Sequence, residues 1–175
     1  MPVASRLGKQ IEEVVSTLTS TGAPFALIGG LALAPYKVIR ATQDVDLLTD
    51  GAMAETIHSA LLALGYRCLH RSPDAGNYQR EDERVDLIYA HRPAALRLLA
   101  SARPRQTPFG QLNIVSPEGL IGLKLQGYVN DPRRTRDRDD IRALITANRE
   151  ALDMGEVREY FRLFGKEELL QELMG

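Results

Sequence analysis

Three aspartates on two apolar segments, preceded by a glycine pair, constrain the fold of this chain more than any other feature. The first segment, 42–48, reads Thr-Gln-Asp-Val-Asp-Leu-Leu, and the second, 84–88, reads Arg-Val-Asp-Leu-Ile. Because successive side chains of a strand point to opposite faces, Asp44 and Asp46 are predicted to share a face. If Asp86 lies on that face of a neighbouring strand, three carboxylates converge.

A cluster of carboxylates suits a hard cation such as Mg²⁺, because such ions prefer oxygen ligands. Two ions held in this way can clamp a phosphoryl group and activate the hydroxyl that attacks it. The alternative is that Asp-Val-Asp only marks the solvated face of a half-buried strand. The order of motifs favours the metal site, since an apolar segment (25–28), the pair Gly29-Gly30 and an Arg-x-Thr segment (40–42) all precede the aspartates.

This order of motifs resembles the nucleotidyltransferase superfamily that includes DNA polymerase beta. The branch that it most resembles is that of the AbiEii-type and MenT-type toxin nucleotidyltransferases, which share the runs found here at 28–32 and 40–46. Those proteins also carry a lysine on a later helix and an Arg-Asp-x-x-Asp segment, which correspond to Lys124 and 136–140. One departure is Gly30, where many members of the superfamily have a phosphate-binding serine.

The resemblance implies an α+β fold in a single domain, 1–175. A nucleotidyltransferase core with a mixed β-sheet flanked by helices is expected at 22–115, and a helical C-terminal subdomain at 116–175. The implied reaction transfers an NMP from an NTP to an acceptor, for which tRNA or another RNA is a candidate. The implied biological role is the toxin of a toxin–antitoxin or abortive-infection system, with a cognate antitoxin protein as a candidate partner. The alternatives are nucleotidylation of a small molecule or a protein, and a catalytically weak nucleotide-binding regulatory protein.

The resemblance also assigns roles to individual residues. Asp44, Asp46 and Asp86 are expected to be catalytic and to bind the metal, with two Mg²⁺ ions and an NTP as co-substrate. Lys124 is expected to act in catalysis as a phosphate clamp, although a lysine on an apolar helix can also extend its charge into solvent. The expected nucleotide-binding residues are Gly29, Gly30, Arg40, Thr42 and Lys124.

Hydrophobic periodicity and turn residues predict the order of the elements. The main helices before residue 116 are predicted at 5–21 and 52–64, with a short helix at 31–38, a turn-rich stretch at 72–77 and one or two strands between 79 and 90. From 116 onward every predicted element is a helix, and Ser116-Pro117 is expected to begin the first of them. Mixed strands and helices followed by helices alone favour an α+β domain with a helical C-terminal part.

Charge is distributed unevenly, although the formal net charge is only −1. The segment 87–117 contains no acidic residue, and it carries four arginines, Arg92, Arg97, Arg103 and Arg105. Such a segment directly after Asp86 either contacts an anionic acceptor or forms a solvated surface. Farther along the chain, Asp137 and Asp140 alternate with arginines at helical spacing, which favours a network of salt bridges.

The remaining composition excludes several classes of site. The single cysteine, Cys68, allows no intramolecular disulfide and fits a reducing compartment, so a cytoplasmic location is expected. His58, His70 and His91 lack the spacing of metal ligands. The uncharged segment 14–36 is interrupted by proline and glycine, so no contact with a membrane is expected.

Overall fold

The computed structural model describes residues 5–175, which form two compact units. The first, here called the sheet unit, takes the described residues up to Leu31 together with Ala41–Val115. The second, here called the helical unit, takes Ala32–Arg40 and Ser116–Gly175. A mixed seven-stranded sheet and helices coexist in the described chain, which confirms the predicted α+β class.

The strands of the sheet unit are β1 Phe25–Ile28, β2 Val45–Asp50, β3 Arg67–Arg71, β4 Ala75–Arg80, β5 Glu83–Ala90, β6 Arg103–Thr107 and β7 Gly110–Ile114. Its helices are α1 Arg6–Thr21, α2 Ala54–Ala63 and α3 Pro93–Ser101. The strands lie in the order β3-β4-β5-β2-β1-β7-β6. At the centre, β2 runs parallel to β5 and antiparallel to β1, so the two segments that carry the aspartates are direct neighbours.

One face of the sheet is covered by α1 and α2. Gln10 of α1 donates a hydrogen bond to the backbone oxygen of Arg84, and a ring nitrogen of His58 of α2 lies 2.9 Å from the Tyr78 hydroxyl. Burial raises the pKa of that phenol above its usual value. The core on this face contains alternate residues of β2 and β5, all at most 1% exposed: Val45, Leu47, Val85 and Leu87.

The helical unit contains α4 Pro117–Asn130, α5 Thr135–Asn148, α6 Met154–Leu163 and α7 Glu167–Met174. The predicted start of α4 is confirmed, because the Ser116 side chain accepts a hydrogen bond from the Gly119 amide and Pro117 follows as the first helical residue. Helices α4 and α5 pack through apolar residues that are at most 1% exposed: Leu120, Ile121, Leu125, Ile141, Leu144 and Ile145.

Two local predictions differ from the structure. The helix expected at 31–38 is replaced by two short 3₁₀ turns, Gly30–Ala32 and Ala34–Tyr36. Pro35 cannot donate a backbone hydrogen bond, and Lys37 has a φ of 64°, so a regular helix does not continue there. Strand β4 begins at Ala75, inside a stretch that reads as a turn, because pairing with β5 outweighs the weak strand propensity of its first residues.

No helix within residues 5–175 combines the length and apolar character that a bilayer crossing requires.

Candidate active site

The register of the sheet places Asp46 and Asp86 side by side. The two residues are partners on the parallel strands β2 and β5. Neighbouring strands lie about 4.8 Å apart, and partner residues point to the same side of a sheet. Both aspartates alternate with buried apolar neighbours, so their half-buried carboxylates lie on the face opposite to α1 and α2.

Asp44 lies one residue before β2 and is partly exposed. No group of three or more His, Cys, Asp or Glu side chains within residues 5–175 is arranged as a metal site. The carboxylates of Asp44, Asp46 and Asp86 therefore do not form a complete cage by themselves. Their chemistry still fits Mg²⁺, because proteins commonly hold this ion with one or two carboxylates while substrate phosphates and water complete the shell. The metal-binding role of the three residues stays a prediction.

The glycine turn packs directly against one of these carboxylates. Gly29 follows β1, whose last residue, Ile28, is the antiparallel partner of Asp46. Its φ is 69°, and a Cβ placed on it would lie 2.7 Å from both Cβ and Cγ of Asp46. Only glycine satisfies both the backbone angle and the close approach. Gly30 is buried and begins the first 3₁₀ turn.

Asn77 is a site residue that sequence reasoning missed. It lies on β4 as the antiparallel partner of Asp86, and its Nδ2 donates a 2.7 Å hydrogen bond to Asp86 Oδ1. The neutral amide orients the carboxylate without neutralising its charge. The sequence contained no signal for this contact, because Asn77 closes the polar stretch 72–77, which reads as a loop rather than a strand.

Lys124 lies in the helical unit and does not extend into solvent. Its side chain is 7% exposed, and its Nζ is 2.8 Å from Asp140 Oδ2 and 3.7 Å from Asp137 Oδ1. Asp137 also pairs with Arg134 at 2.7 Å, and Gly127 of α4 leaves the space that this carboxylate occupies. The two aspartates do form salt bridges, but among the arginines at helical spacing only Arg134 takes part, and the partner on α4 is Lys124. The catalytic role of Lys124 stays a prediction.

Arg40 belongs to the same ion-pair network. Its Nε lies 3.0 Å from Asp140 Oδ1, so Asp140 bridges Arg40 and Lys124 with its two oxygens. The arginine side chain keeps 23% of its surface exposed. Thr42 is partly exposed and lies in the irregular stretch between this arginine and β2. The nucleotide contacts expected of Arg40 and Thr42 stay predictions.

No protein-family model matches the chain, and no curated protein matches it. Several solved structures of other proteins do match the chain. The solution structure of the antibiotic-resistance factor ANT(2'')-Ia matches with a TM-score of 0.73 and 16% identity over 97% of each chain. The lincosamide antibiotic adenylyltransferase LnuA matches with a TM-score of 0.59 and 17% identity, over 79% of this chain and 96% of its own.

An antigenic nucleotidyltransferase-like protein from Paracoccidioides brasiliensis matches with a TM-score of 0.58 and 19% identity, over 99% of this chain and 94% of its own. At these identities the likeness concerns the fold. The chain therefore has a nucleotidyltransferase fold over nearly its whole length, and the predicted core with a helical C-terminal part is confirmed. The AbiEii and MenT branch is not among these matches.

Proposed function

We propose that this protein is a metal-dependent nucleotidyltransferase that moves a nucleoside monophosphate from an NTP to an acceptor hydroxyl and releases pyrophosphate. The observation that carries the proposal is the pairing of Asp46 with Asp86 on adjacent parallel strands, with Gly29 packed against Asp46. The shared fold supports it, because this arrangement lies within a chain that superimposes on an antibiotic-resistance factor and on a lincosamide antibiotic adenylyltransferase.

In this reaction the acceptor oxygen attacks the α-phosphorus of the NTP, a new O–P bond forms, and the bond to the β-phosphate oxygen breaks. The acceptor proton passes to Asp86, which Asn77 holds in a fixed orientation. The turn at Gly29 and Gly30 lets backbone amides approach the phosphates closely.

Asp44, Asp46 and Asp86 would hold Mg²⁺, with two ions expected in the site, together with the NTP phosphates. When bound, Mg²⁺ neutralises the charge on the triphosphate and on the leaving pyrophosphate. Lys124 contributes to catalysis as a phosphate clamp. Arg40, Thr42 and Lys124 bind the nucleotide in this proposal, and Asp140 presents Arg40 and Lys124 as a fixed pair of cations.

For the biological role, we propose a toxin of a toxin–antitoxin or abortive-infection system that acts in the cytoplasm. Its acceptor is tRNA or another RNA, and its partner is a cognate antitoxin. The resemblance of the run 28–32 and of Arg-x-Thr-Gln-Asp-x-Asp at 40–46 supports this assignment. A second candidate is adenylylation of an antibiotic. It is favoured by the match of ANT(2'')-Ia over 97% of each chain. Protein nucleotidylation and a catalytically weak regulatory role are the remaining alternatives.

The decisive test is binding followed by transfer. Each of the four NTPs at millimolar concentration with Mg²⁺ is added to the protein, and the melting temperature is measured with and without EDTA. The correct NTP is expected to raise it, since a ligand that binds the folded state at about 100 times its Kd stabilises it by about 2.7 kcal/mol. Incubation with the matching α-labelled NTP and total bacterial RNA, protein or an aminoglycoside then identifies the labelled acceptor. No shift with any NTP, and no labelled product, would contradict the proposal.

A further inference from the structure

A groove lies in the helical unit between α5 and the segment 36–40. It has a volume of about 470 Å³, and small or apolar residues form most of its lining: Val38, Ile39, Ala143, Thr146 and Ala147. The Ile39 side chain is 91% exposed, the largest value among the large apolar residues of the part of the chain that the structure describes. The groove therefore presents apolar surface that the chain itself leaves uncovered.

Contacts to α5 fix the wall of this groove at both ends. The Asn148 side chain donates a 2.8 Å hydrogen bond to the backbone oxygen of Tyr36. At the other end, Arg40 Nε lies 3.0 Å from Asp140 Oδ1. Ile39 is thus held outward by an anchored segment. A fixed apolar groove of this kind indicates an interaction surface, which a single exposed side chain does not.

The charged residues of the groove are two bases, Lys37 and Arg142, and one acid, Asp139. None of these three side chains has a hydrogen-bond or ion-pair partner among the described residues. The adjacent Arg138 differs, because it pairs with Glu172 of α7 at 3.3 Å. The groove therefore offers two positive charges and one negative charge to a partner.

The turn between α6 and α7 carries the second exposed apolar surface of the helical unit. Leu163, the last residue of α6, is 74% exposed, the value next below that of Ile39 among the large apolar residues described. Phe164 follows it and is partly exposed, and Gly165 then ends the helix with a φ of 62°. We call Leu163 and Phe164 the apolar turn.

The charges beside the apolar turn are the reverse of those in the groove. On α6, Glu159 and Arg162 pair with each other at 2.7 Å. Arg158 precedes Leu163 by five positions, which places it about 140° away around the helix. Three charged residues that follow the turn have no side-chain partner among the described residues: Lys166, Glu167 and Glu168. Two negative charges and one positive charge therefore remain there, and they complement those of the groove.

We infer that this protein associates with a second copy of itself, and that the apolar turn of each copy lies in the groove of the other. In this arrangement Leu163 packs against Ile39 of the other copy. The two unpaired acids of the turn meet the two unpaired bases of the groove, and Lys166 meets Asp139. The inference goes beyond the proposed function, because neither surface includes a residue that is assigned to the NTP or to the metal.

A second copy is the occupant that the charges favour, because each chain carries both complementary surfaces. The high exposure of Ile39 and Leu163 shows that the two surfaces do not cover each other within one chain. A two-fold pair uses both surfaces of both copies, whereas a single contact would leave surfaces open and build a longer chain. Two contacts of this size make a small interface, so the pair is expected to dissociate in the micromolar range.

The first test removes the apolar contact. Sedimentation velocity of the wild type, from about 1 to about 200 µM, is expected to show a monomer that becomes a dimer. Ile39→Ser and Leu163→Ser should each raise the dimer dissociation constant by at least about tenfold. Leu62→Ser changes an exposed leucine of α2, 44% exposed, and should dimerise as the wild type does. Because all three positions are exposed, the melting temperatures of the monomers should agree.

The second test reverses the charges. Lys37→Glu/Arg142→Glu reverses the groove and Glu167→Lys/Glu168→Lys reverses the turn, so each variant alone should dimerise at least about tenfold more weakly. An equimolar mixture should recover the dimer, because both contacts of the mixed pair again join opposite charges. The salt is about 0.15 M KCl, which screens attraction between net charges beyond about 8 Å.

Three results would overturn the inference. The first is a wild type that stays monomeric over the whole concentration range, or that forms species larger than a dimer. The second is dimerisation of Ile39→Ser and Leu163→Ser that equals that of Leu62→Ser. The third is a mixture of the two charge-reversed variants that recovers no dimer.

Discussion

Asp86 in the sheet unit and Asp140 in the helical unit show two opposite uses of the same side chain. Asp86 is partly exposed, and a neutral amide from Asn77 holds one of its oxygens. Asp140 is 5% exposed, and two cations, Arg40 and Lys124, hold its two oxygens. The neutral partner leaves the charge of Asp86 available to a ligand. The cationic partners neutralise Asp140 within the fold.

Under the proposed function, this difference separates charge that binds a ligand from charge that stabilises the fold. A buried carboxylate without partners is costly, so Asp140 is accommodated because the salt bridges offset its desolvation. A carboxylate that must bind a metal and a nucleotide has to keep its charge and some exposure. The comparison therefore predicts that removing a sheet-unit aspartate lowers activity, and that removing Asp140 lowers stability.

The largest effect is expected for Asp46→Asn. Loss of one carboxylate from the pair on β2 and β5 removes a proposed metal ligand, and should lower kcat/KM by about 10⁴-fold, or about 5 kcal/mol in the barrier. The free energy of unfolding should change by less than about 1 kcal/mol, because the carboxylate is partly exposed. The measurement is steady-state transfer together with urea denaturation. Asp82→Asn, on an exposed turn, is the control, and near-normal transfer by Asp46→Asn would refute the assignment.

The second largest effect is expected for Asp140→Ala, which should lower the free energy of unfolding. It leaves Lys124 and Arg40 without their shared carboxylate, and breaking a buried ion pair from one side costs about 3–5 kcal/mol. Chemical denaturation of this variant is compared with Asp139→Ala, an exposed neighbour on the same helix that should cost less than about 0.5 kcal/mol. Equal stabilities of the two variants would mean that the ion pairs contribute nothing net, and the comparison with Asp86 would fail.

A smaller effect is expected for Asn77→Ala, which tests whether the neutral partner matters. A residue that orients a metal ligand typically changes affinity or activity by about 10- to 100-fold when it is removed. The Mg²⁺ concentration for half-maximal rate should rise, and Mn²⁺ binding in the presence of NTP, followed by electron paramagnetic resonance, should weaken. Asn113→Ala, which changes an exposed asparagine of β7, is the matched control. If both variants keep wild-type Mn²⁺ affinity, Asn77 has no part in positioning Asp86.

Several elements could be predicted from the sequence because their signals are local. Apolar spacing predicts helix α1, which ends at Thr21 and is capped by Gly22 with a φ of 75°. The start of α4 follows from Ser116 and Pro117, whose preferences act within one turn. The shared face of Asp44 and Asp46 is a prediction of the same kind, because alternation is a property of any strand.

Other site features could not be predicted because they depend on partners distant in the chain. Asn77 reaches Asp86 only after β4 and β5 pair, and its own segment has the composition of a turn. Glu118 accepts a hydrogen bond from the backbone amide of Asp153, 35 positions later, and Asp153 is the residue that caps α6. Neither contact leaves a periodic pattern in the sequence.

Which residues can carry charge on a strand face, and where glycine must permit a close approach, could be inferred from the sequence, since those properties follow from covalent geometry. Which residues pair with each carboxylate depends on the tertiary structure. The strand register places the Asn77 amide beside Asp86, and the packing of the helical unit places Arg40 and Lys124 beside Asp140. The physical reason is that desolvation and pairing depend on the full surroundings of a side chain, and those surroundings come together only when distant segments fold.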